Sequence, residues 1–251
     1  MNKVAINGFG RIGRIFFRQS FLKSNYEIVA INDLGDIENL AYLLTHDTVY
    51  GRYSMEVVIK DNSLWVAGKE IKILQERDPS KLPWGKLGID LVVESTGIFE
   101  EFTKAKVHLD SGAKRVVISA PAKDEEGDLG KTILMGVNEE LLKGVQMTSN
   151  GSCTTNAASP VIQALIENPG ILKAVLSTTH AYTATQNLVD GPTKGKDFRR
   201  GRNAAQNIVP STTGSAISVA QAVPELIGKF DGIAMRVPVM AGSIADITFL
   251  A

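Results

Sequence analysis

The stretch Lys3-Val4-Ala5-Ile6-Asn7-Gly8-Phe9-Gly10-Arg11-Ile12-Gly13 decides how the chain begins to fold. Its first five residues are typical of a short buried strand, and the rest has three glycines in the order GxGxxG. A helical spacing of apolar residues continues to Leu22, and a second apolar strand runs over 26–32. Strand, glycine turn, helix and strand in this order predict one βαβ unit of a parallel sheet.

The glycine turn has the features of a cradle for a dinucleotide. Gly8 allows a tight turn, Gly10 lets the backbone approach a pyrophosphate, and Gly13 lets the helix and strand pack closely. Asp33 follows the second strand, twenty residues after Gly13. Its carboxylate suits an adenosine ribose and repels a 2′-phosphate, so we expect NAD as cofactor rather than NADP. A glycine turn without a ligand is the alternative.

Strands and helices continue to alternate up to about residue 150, as in a parallel sheet with helices on both faces. Two polar segments, 95–97 and 119–121, follow strands, and the carboxyl ends of such strands line a ligand crevice. We expect a doubly wound, mostly parallel sheet in a domain of residues 1–151. The further elements expected in it are a helix at 37–45, a hairpin of 53–60 and 64–74, a strand at 89–94, a helix at 100–111, and strands at 115–119, 134–137 and 145–148.

The pattern changes after residue 151. Expected elements are a helix beginning near 152, a strand at 174–179, a polar loop at 184–207, a helix at 213–222, and strands at 232–237 and 243–250. These predict a second, α+β domain over 152–251 with a mixed or antiparallel sheet. The chain stops at Ala251 inside an apolar strand, so we expect that further residues normally follow and that the open strand edge is prone to pairing.

The amino-acid composition limits which binding partners and which cellular compartment we expect. Lys and Arg number 27, as do Asp and Glu, so nothing favours nucleic acid or an anionic membrane as partner. No apolar run reaches the roughly 20 residues that a transmembrane helix needs. A single cysteine excludes an internal disulfide and suits a reducing cytoplasm. We expect a cytoplasmic protein without a metal site.

The only cysteine lies in the stretch Gly151-Ser152-Cys153-Thr154-Thr155-Asn156. Apolar residues at helical spacing follow it, which predicts a helix that begins at Ser152 or Cys153. The positive end of the helix dipole and the free backbone N–H groups favour the thiolate, which is the nucleophilic form. A buried structural cysteine is the alternative interpretation.

A nucleophilic thiol needs a base or cation within hydrogen-bond reach. Of the three histidines, His180 ends a strand and opens a polar loop, which suits a general base. His46, in a Thr-His-Asp turn, is interpreted as structural, and His108, in a polar helix, as solvated. His180 is therefore the candidate partner of the thiol.

Threonine hydroxyls and guanidinium groups are common ligands of phosphate. Thr183 and Thr185 follow His180, and Arg199 lies in the same loop. A solvated basic surface is the alternative for Arg199 and its neighbours. Arg236 lies within an apolar strand, where a charge needs a partner or a ligand.

Together these residues resemble the phosphorylating glyceraldehyde-3-phosphate dehydrogenase family. The matching segments occur in family order and near family spacing over the whole chain: 6–14, 31–33, 95–97, 119–121, 152–156, 180–186, 190–192, 199–202 and 236–238. The resemblance implies a dinucleotide-binding Rossmann-type domain followed by a catalytic domain. It also implies a cytoplasmic homotetramer in which the loop 182–205 packs near a neighbouring subunit's cofactor.

The resemblance implies a role for each matching residue. Cys153 would attack the aldehyde of glyceraldehyde 3-phosphate, and His180 would lower the pKa of the thiol and move protons. Hydride would pass to NAD, and inorganic phosphate would release the resulting thioester as an acyl phosphate. Cofactor contacts would come from Asn7, Gly8, Gly10, Arg11, Ile12, Gly13, Asp33, Leu34, Arg77, Thr96, Gly97 and Ser119. The substrate's phosphate would bind Thr183, Thr185, Arg236 and Arg199, and the attacking phosphate would bind Ser152, Thr154, Thr213 and Gly214.

Several departures keep other functions open. The chain is about a quarter shorter than the family and lacks an asparagine that contacts the nicotinamide, and Ala157 replaces a second cysteine that many members have. The alternatives are an erythrose-4-phosphate dehydrogenase, a truncated non-catalytic copy that binds NAD or a partner, and a Cys–His hydrolase. A hydrolase would have no use for the dinucleotide turn with Asp33.

Overall fold

The computed structural model describes residues 1–23, 25–193 and 195–251. It contains two compact units, one of Met1–Thr132 with Glu140–Asn150, the other of Ile133–Glu139 with Gly151–Ala251. In the described part of the chain no helix has both the length and the apolar character to cross a membrane. The division into domains 1–151 and 152–251 stays a prediction.

The helices and strands are numbered along the chain. The strands are β1 (Asn2–Asn7), β2 (Tyr26–Asn32), β3 (His46–Asp47), β4 (Gly51–Arg52), β5 (Val57–Lys60), β6 (Ser63–Val66), β7 (Lys69–Leu74), β8 (Leu91–Glu94), β9 (Arg115–Ile118), β10 (Gly130–Thr132), β11 (Met147–Ser149), β12 (Lys173–Ala181), β13 (Val209–Thr212), β14 (Phe230–Val237) and β15 (Ser243–Leu250). The α-helices are α1 (Arg11–Ser20), α2 (Ile37–Thr45), α3 (Trp84–Leu87), α4 (Phe102–Ala105), α5 (Val107–Asp110), α6 (Cys153–Glu167) and α7 (Ser215–Ala222). Short 3₁₀ helices lie at Pro79–Lys81, Glu139–Gly144, Phe198–Gly201 and Pro224–Leu226.

The first unit contains a sheet of nine strands in the order β10-β11-β9-β8-β1-β2-β7-β6-β5. Strand β1 lies parallel between β2 and β8, and among the described residues of this sheet the antiparallel pairs are β6 with β7 and β5 with β6. Val4 and Ile6 of β1 belong to one buried apolar cluster, and Ala5 belongs to another. Because successive side chains point to opposite faces, both faces of the sheet are covered. The predicted doubly wound, mostly parallel sheet is confirmed.

Some local predictions were wrong, at residues 64–74 and 100–111 of the first unit and at residues 134–137 of the second. The expected strand 64–74 is two strands, because Ala67 and Gly68 adopt positive φ values of 47° and 79° and reverse the chain. The expected helix 100–111 is two short helices, α4 and α5. The expected strand 134–137 is a turn, in which the N–H of Leu134 donates to Asn138 Oδ1 at 2.8 Å.

The second unit contains a four-stranded sheet in the order β13-β14-β12-β15. Strand β12 is parallel to β14 and antiparallel to β15, and β13 is antiparallel to β14. The predicted mixed sheet is thus confirmed. Helices α6 and α7 share a buried cluster through Ala158 and Ile162 of the first and Val219 of the second.

Gly13 should be indispensable to the packing of α1 against the glycine turn. An alanine Cβ at this position would lie 2.2 Å from the carbonyl oxygen of Gly8, a backbone atom. We expect Gly13→Ala to lower the free energy of unfolding by about 3 kcal/mol, measured by urea denaturation.

Gly127→Ala is the matched control, because a Cβ there meets no atom within 4 Å. It should change the unfolding free energy by less than about 0.5 kcal/mol. Equal losses in the two variants would contradict the packing argument.

Candidate active site

The cysteine lies at the first turn of α6, as the sequence predicted. Ser152 is the N-cap of this helix, and its hydroxyl oxygen accepts the N–H of Thr155 at 3.0 Å. Gly151 precedes it with a φ of 62°, a conformation that favours glycine. Cys153 is exposed, while Thr154 is buried and donates to the sulfur, which helps to lower the pKa of the thiol. The alternative of a buried structural cysteine is excluded by this exposure.

His180 stands beside the thiol. Its Nε2 lies 3.2 Å from Cys153 Sγ. This hydrogen bond is the largest influence on both groups: it lowers the pKa of Cys153 and raises the pKa of His180, although burial opposes both shifts. The two directions favour the same state, a thiolate beside an imidazolium.

Arg236 approaches the same imidazole from the neighbouring strand. His180 and Arg236 are paired across the parallel strands β12 and β14. Arg236 Nη1 lies 2.8 Å from His180 Nδ1 and 3.2 Å from the carbonyl oxygen of Ala181. Because a guanidinium only donates, this contact requires a neutral imidazole with a bare Nδ1. When His180 is protonated, Nδ1–H instead faces the Ala181 carbonyl oxygen, 2.7 Å away.

Burial, first of all, and the nearby Arg200 lower the pKa of Arg236. An anion that binds here would relieve this repulsion between guanidinium groups. Arg236, the charged residue that the sequence places in an apolar strand, is therefore partly buried beside the Cys153–His180 pair. Its position is suited to an anionic ligand.

The two loop threonines are close together. Thr183 Oγ1 and Thr185 Oγ1 lie 3.0 Å apart. Arg200 rather than Arg199 approaches them, with Nη1 at 3.5 Å from Thr185 Oγ1. Arg199 is paired with Asp197 at 2.7 Å. The resemblance assigns Arg199, not Arg200, to the phosphate. Adjacent arginines in a loop have no periodic pattern that would show which of them faces the threonines.

A second group of hydroxyls lies where α6 and α7 begin. Ser152 Oγ is 3.0 Å from Ser215 Oγ, and Thr213 Oγ1 donates to Ser215 Oγ at 2.9 Å. Gly214 is the N-cap of α7. The structure thus brings together Ser152, Thr213 and Gly214, three of the residues matched to the attacking phosphate, and adds Ser215. A helix-start serine is so common that the sequence offered little to single Ser215 out.

The glycine turn of the first unit opens on a crevice of about 490 Å³. Gly8 has a φ of 94°, and a Cβ on it would lie 2.6 Å from the N of Thr96. A Cβ on Gly10 would meet no atom, and Gly10 caps α1 without a side chain, so the N–H groups of the first turn are open to an anion. Asp33 accepts the N–H groups of Phe9 and Gly35 at 2.7 and 2.8 Å. These residues fit a bound dinucleotide.

Only some of the predicted cofactor residues line this crevice. Those that line this crevice are Asn7, Gly8, Gly10, Asp33, Leu34, Arg77 and Thr96. Ile12 and Ser119 line a separate groove, and Arg11 is ion-paired with Asp47 at 2.9 Å. Gly13 packs against Gly8, and Gly97 takes a positive φ of 70° in the turn after β8. Crevice residues that the sequence did not single out are Glu76, Pro79, Ile98 and Phe99, whereas Asn32 and Ser95, which also line it, lie in the matched segments 31–33 and 95–97.

His108 corrects an interpretation made from the sequence. It is completely buried rather than solvated, and its Nε2 lies 3.0 Å from Glu94 Oε2. A polar helix suggested solvent, but α5 turns this residue toward Trp84 and Phe99. His46 is exposed and contacts the ring of Tyr42.

A parallel dinucleotide-binding sheet and a unit with a thiol–imidazole pair define an NAD-dependent oxidoreductase. Family models identify the particular kind. Residues 2–102 match the NAD-binding domain of glyceraldehyde 3-phosphate dehydrogenase, and residues 152–251 match its C-terminal domain. The chain belongs to the glyceraldehyde-3-phosphate dehydrogenase family, so it is an NAD-dependent enzyme of glycolytic type.

Curated relatives agree with this assignment. The chain is 50% identical to glyceraldehyde-3-phosphate dehydrogenases of Streptomyces coelicolor and Clostridium pasteurianum, each over 248 residues. It is 46% identical over 249 residues to the enzyme of Eremothecium gossypii. These alignments cover 98–99% of this chain and 72–73% of the relatives.

The open space at Gly10 generates a prediction for cofactor binding. A methyl group in the cradle would keep a phosphate from the backbone N–H groups without a clash in the folded protein. We expect Gly10→Ala to weaken NAD binding about tenfold or more, by calorimetry, and to cost less than about 1 kcal/mol of stability. Unchanged NAD affinity would show that the phosphate binds elsewhere.

The thiol–imidazole contact generates a prediction for pH dependence. The thiolate is the reacting form, and the pKa of Cys153 is lowered, so iodoacetamide should still react at a pH where an ordinary thiol is protonated. His180→Asn should move the midpoint of the rate–pH profile upward and slow alkylation about tenfold at pH 6.5. His46→Asn, which changes an exposed histidine elsewhere, should leave the profile unchanged. An unmoved profile in His180→Asn would mean that the imidazole does not activate the sulfur.

Proposed function

We propose that this chain catalyses the NAD-dependent, phosphorylating oxidation of glyceraldehyde 3-phosphate to 1,3-bisphosphoglycerate through a thioester on Cys153. The observation that supports it most is the 3.2 Å contact between Cys153 Sγ and His180 Nε2 at the start of α6. Family membership supports the substrate, since the relatives carry glyceraldehyde 3-phosphate in their names.

The first step is attack on the aldehyde. The Cys153 thiolate forms an S–C bond with the carbonyl carbon, and the carbonyl oxygen takes the proton of the His180 imidazolium. The product is a hemithioacetal and a neutral imidazole. The lowered pKa of Cys153 and the raised pKa of His180 support these starting states.

The second step is oxidation of the hemithioacetal carbon. His180 removes the hydroxyl proton, the C–O bond becomes a carbonyl, and the carbon loses a hydride, which leaves a thioester on Cys153. Bound NAD supplies the acceptor for that hydride. The crevice at Gly8, Gly10 and Asp33 would hold this cofactor.

The third step is phosphorolysis. An oxygen of inorganic phosphate attacks the thioester carbon, the C–S bond breaks, and Cys153 departs as a thiolate. Ser152, Thr213 and Gly214 would hold the phosphate, and the adjacent starts of α6 and α7 support this assignment. Thr154, which the resemblance also assigns to this phosphate, is buried and donates to the Cys153 sulfur.

The phosphate of the substrate itself would bind Thr183, Thr185 and Arg236. The 3.0 Å spacing of the two hydroxyls and the partly buried guanidinium support this site. Arg200, which reaches Thr185, is the more suitable further ligand than Arg199. The cofactor contacts of Arg11, Ile12, Arg77 and Ser119, the homotetramer and the cytoplasmic location stay predictions from the resemblance.

The decisive experiment follows NADH formation with and without phosphate. The wild-type chain should give steady turnover of glyceraldehyde 3-phosphate with phosphate and, at most, one equivalent of NADH without it. Cys153→Ser should retain NAD affinity and lose turnover by about 10³-fold or more, because a serine hydroxyl is not ionised here. Full turnover in that variant would overturn the mechanism.

Erythrose 4-phosphate is the control substrate. Faster turnover with it would replace the proposed activity by the sister dehydrogenase activity. NAD binding without turnover of either aldehyde would indicate a non-catalytic binding protein.

A further inference from the structure

A buried polar cluster behind the NAD crevice contains two titratable residues that the proposed chemistry does not use. Glu94, the last residue of β8, is 2% exposed, and His108 of α5 is 0% exposed. Their Oε2 and Nε2 atoms lie 3.0 Å apart. Residues of these types are seldom fully buried without partners, so each hydrogen bond in the cluster has a structural consequence.

The indole of Trp84 determines where the proton of His108 lies. Trp84 Nε1 is 3.1 Å from His108 Nδ1, and an indole N–H can only donate. Nδ1 must therefore be an acceptor, and the proton of a neutral His108 is on Nε2, facing Glu94. The ring of Phe99, which lines the crevice, stands edge-on to the imidazole with centroids 5.9 Å apart.

A second chain of contacts orients Asn7. The amide of Asn32 pairs with the backbone of Glu76, with Nδ2 donating to its carbonyl oxygen and Oδ1 accepting its N–H, both at 2.9 Å. The same Nδ2 donates to Asn7 Oδ1 at 2.7 Å. Asn7 must then turn its own Nδ2 toward Glu94, and the distance to Oε2 is 2.6 Å.

Four donors therefore converge on Glu94. They are His108 Nε2–H, Asn7 Nδ2–H, and both the backbone N–H and the hydroxyl of Thr96. Such a set matches an ionised carboxylate, which only accepts. Thr96 also abuts the glycine turn, since its N lies 2.6 Å from the place of a Cβ on Gly8. The carboxylate thus holds the loop after β8 against the phosphate cradle.

We propose that His108 and Glu94 are positioning residues for NAD binding. The single proton held on His108 Nε2 fixes the carboxylate of Glu94, and this carboxylate holds residues 95–99, the crevice wall, in the shape that binds the cofactor. Neither Glu94 nor His108 lines the crevice itself. The inference rests on the NAD crevice described above and is independent of the thioester chemistry.

Two substitutions of His108 separate positioning from simple space filling. In His108→Gln, the amide oxygen can accept from Trp84 and the amide NH₂ can donate to Glu94, so both contacts are preserved. His108→Leu keeps an apolar side chain of useful volume and removes both contacts. We expect NAD affinity, by calorimetry, to fall about tenfold or more in the leucine variant and less than about threefold in the glutamine variant.

Two further readouts locate the effect. AMP, which contains only the adenosine end of NAD, should lose affinity by the same factor, because the wall lies in the crevice that contains Asp33. Alkylation of Cys153 should proceed at the wild-type rate in both variants. NAD affinity in His108→Leu equal to or better than that in His108→Gln would overturn the proposal, because it would show that only volume matters.

Trp84→Phe keeps the proposal testable if the leucine variant does not fold. It retains an aromatic ring but removes the donor that determines the tautomer, so NAD affinity should fall by about threefold or more. Unchanged affinity would overturn the proposal. A wild-type chain that binds NAD but forms no thioester would contradict the proposed function, while the effect of these substitutions on NAD affinity could still be measured.

Discussion

The hydrogen bond between the Cys153 thiol and the His180 imidazole is the interaction on which the proposed chemistry of the second unit depends. It moves the two pKa values in opposite directions, so that a thiolate and an imidazolium stabilise each other. The start of α6 provides the sulfur, and the end of β12 provides the ring. Arg236 of β14 contacts Nδ1, the other nitrogen of the His180 ring, because the parallel register of β12 and β14 pairs the two residues.

The contact with Arg236 adds a constraint on proton position. The His180 imidazole can accept a hydrogen bond from Arg236 only when Nδ1 carries no proton. When Nδ1 is protonated, it donates to the Ala181 carbonyl oxygen and loses the contact with Arg236. Arg236, a proposed ligand of the substrate's phosphate, and His180, the proposed acid–base residue, are therefore physically linked. An anion that attracts Arg236 would at the same time favour the protonated imidazole.

In the first unit, hydrogen bonds likewise fix the orientation of side chains, here around the buried carboxylate of Glu94. Four donors around Glu94 leave no choice of orientation for Asn7, His108 or Thr96, because each is fixed at its other end. A buried network of this kind is favourable only when every member is satisfied. The cost of burying a carboxylate is offset by contacts that shape the wall of the NAD crevice.

The amino-acid sequence by itself determined the parallel βαβ unit, the glycine cradle, the helix that begins at Cys153 and the pairing candidate His180, because these depend on local spacing and on residue chemistry. The family resemblance then predicted the roles. Only the tertiary structure decided that His108 is buried, that Arg200 rather than Arg199 approaches Thr185, and that Ser215 joins Ser152. Such contacts join residues far apart in the chain, and strand register and helix packing bring them together without leaving a periodic pattern in the sequence.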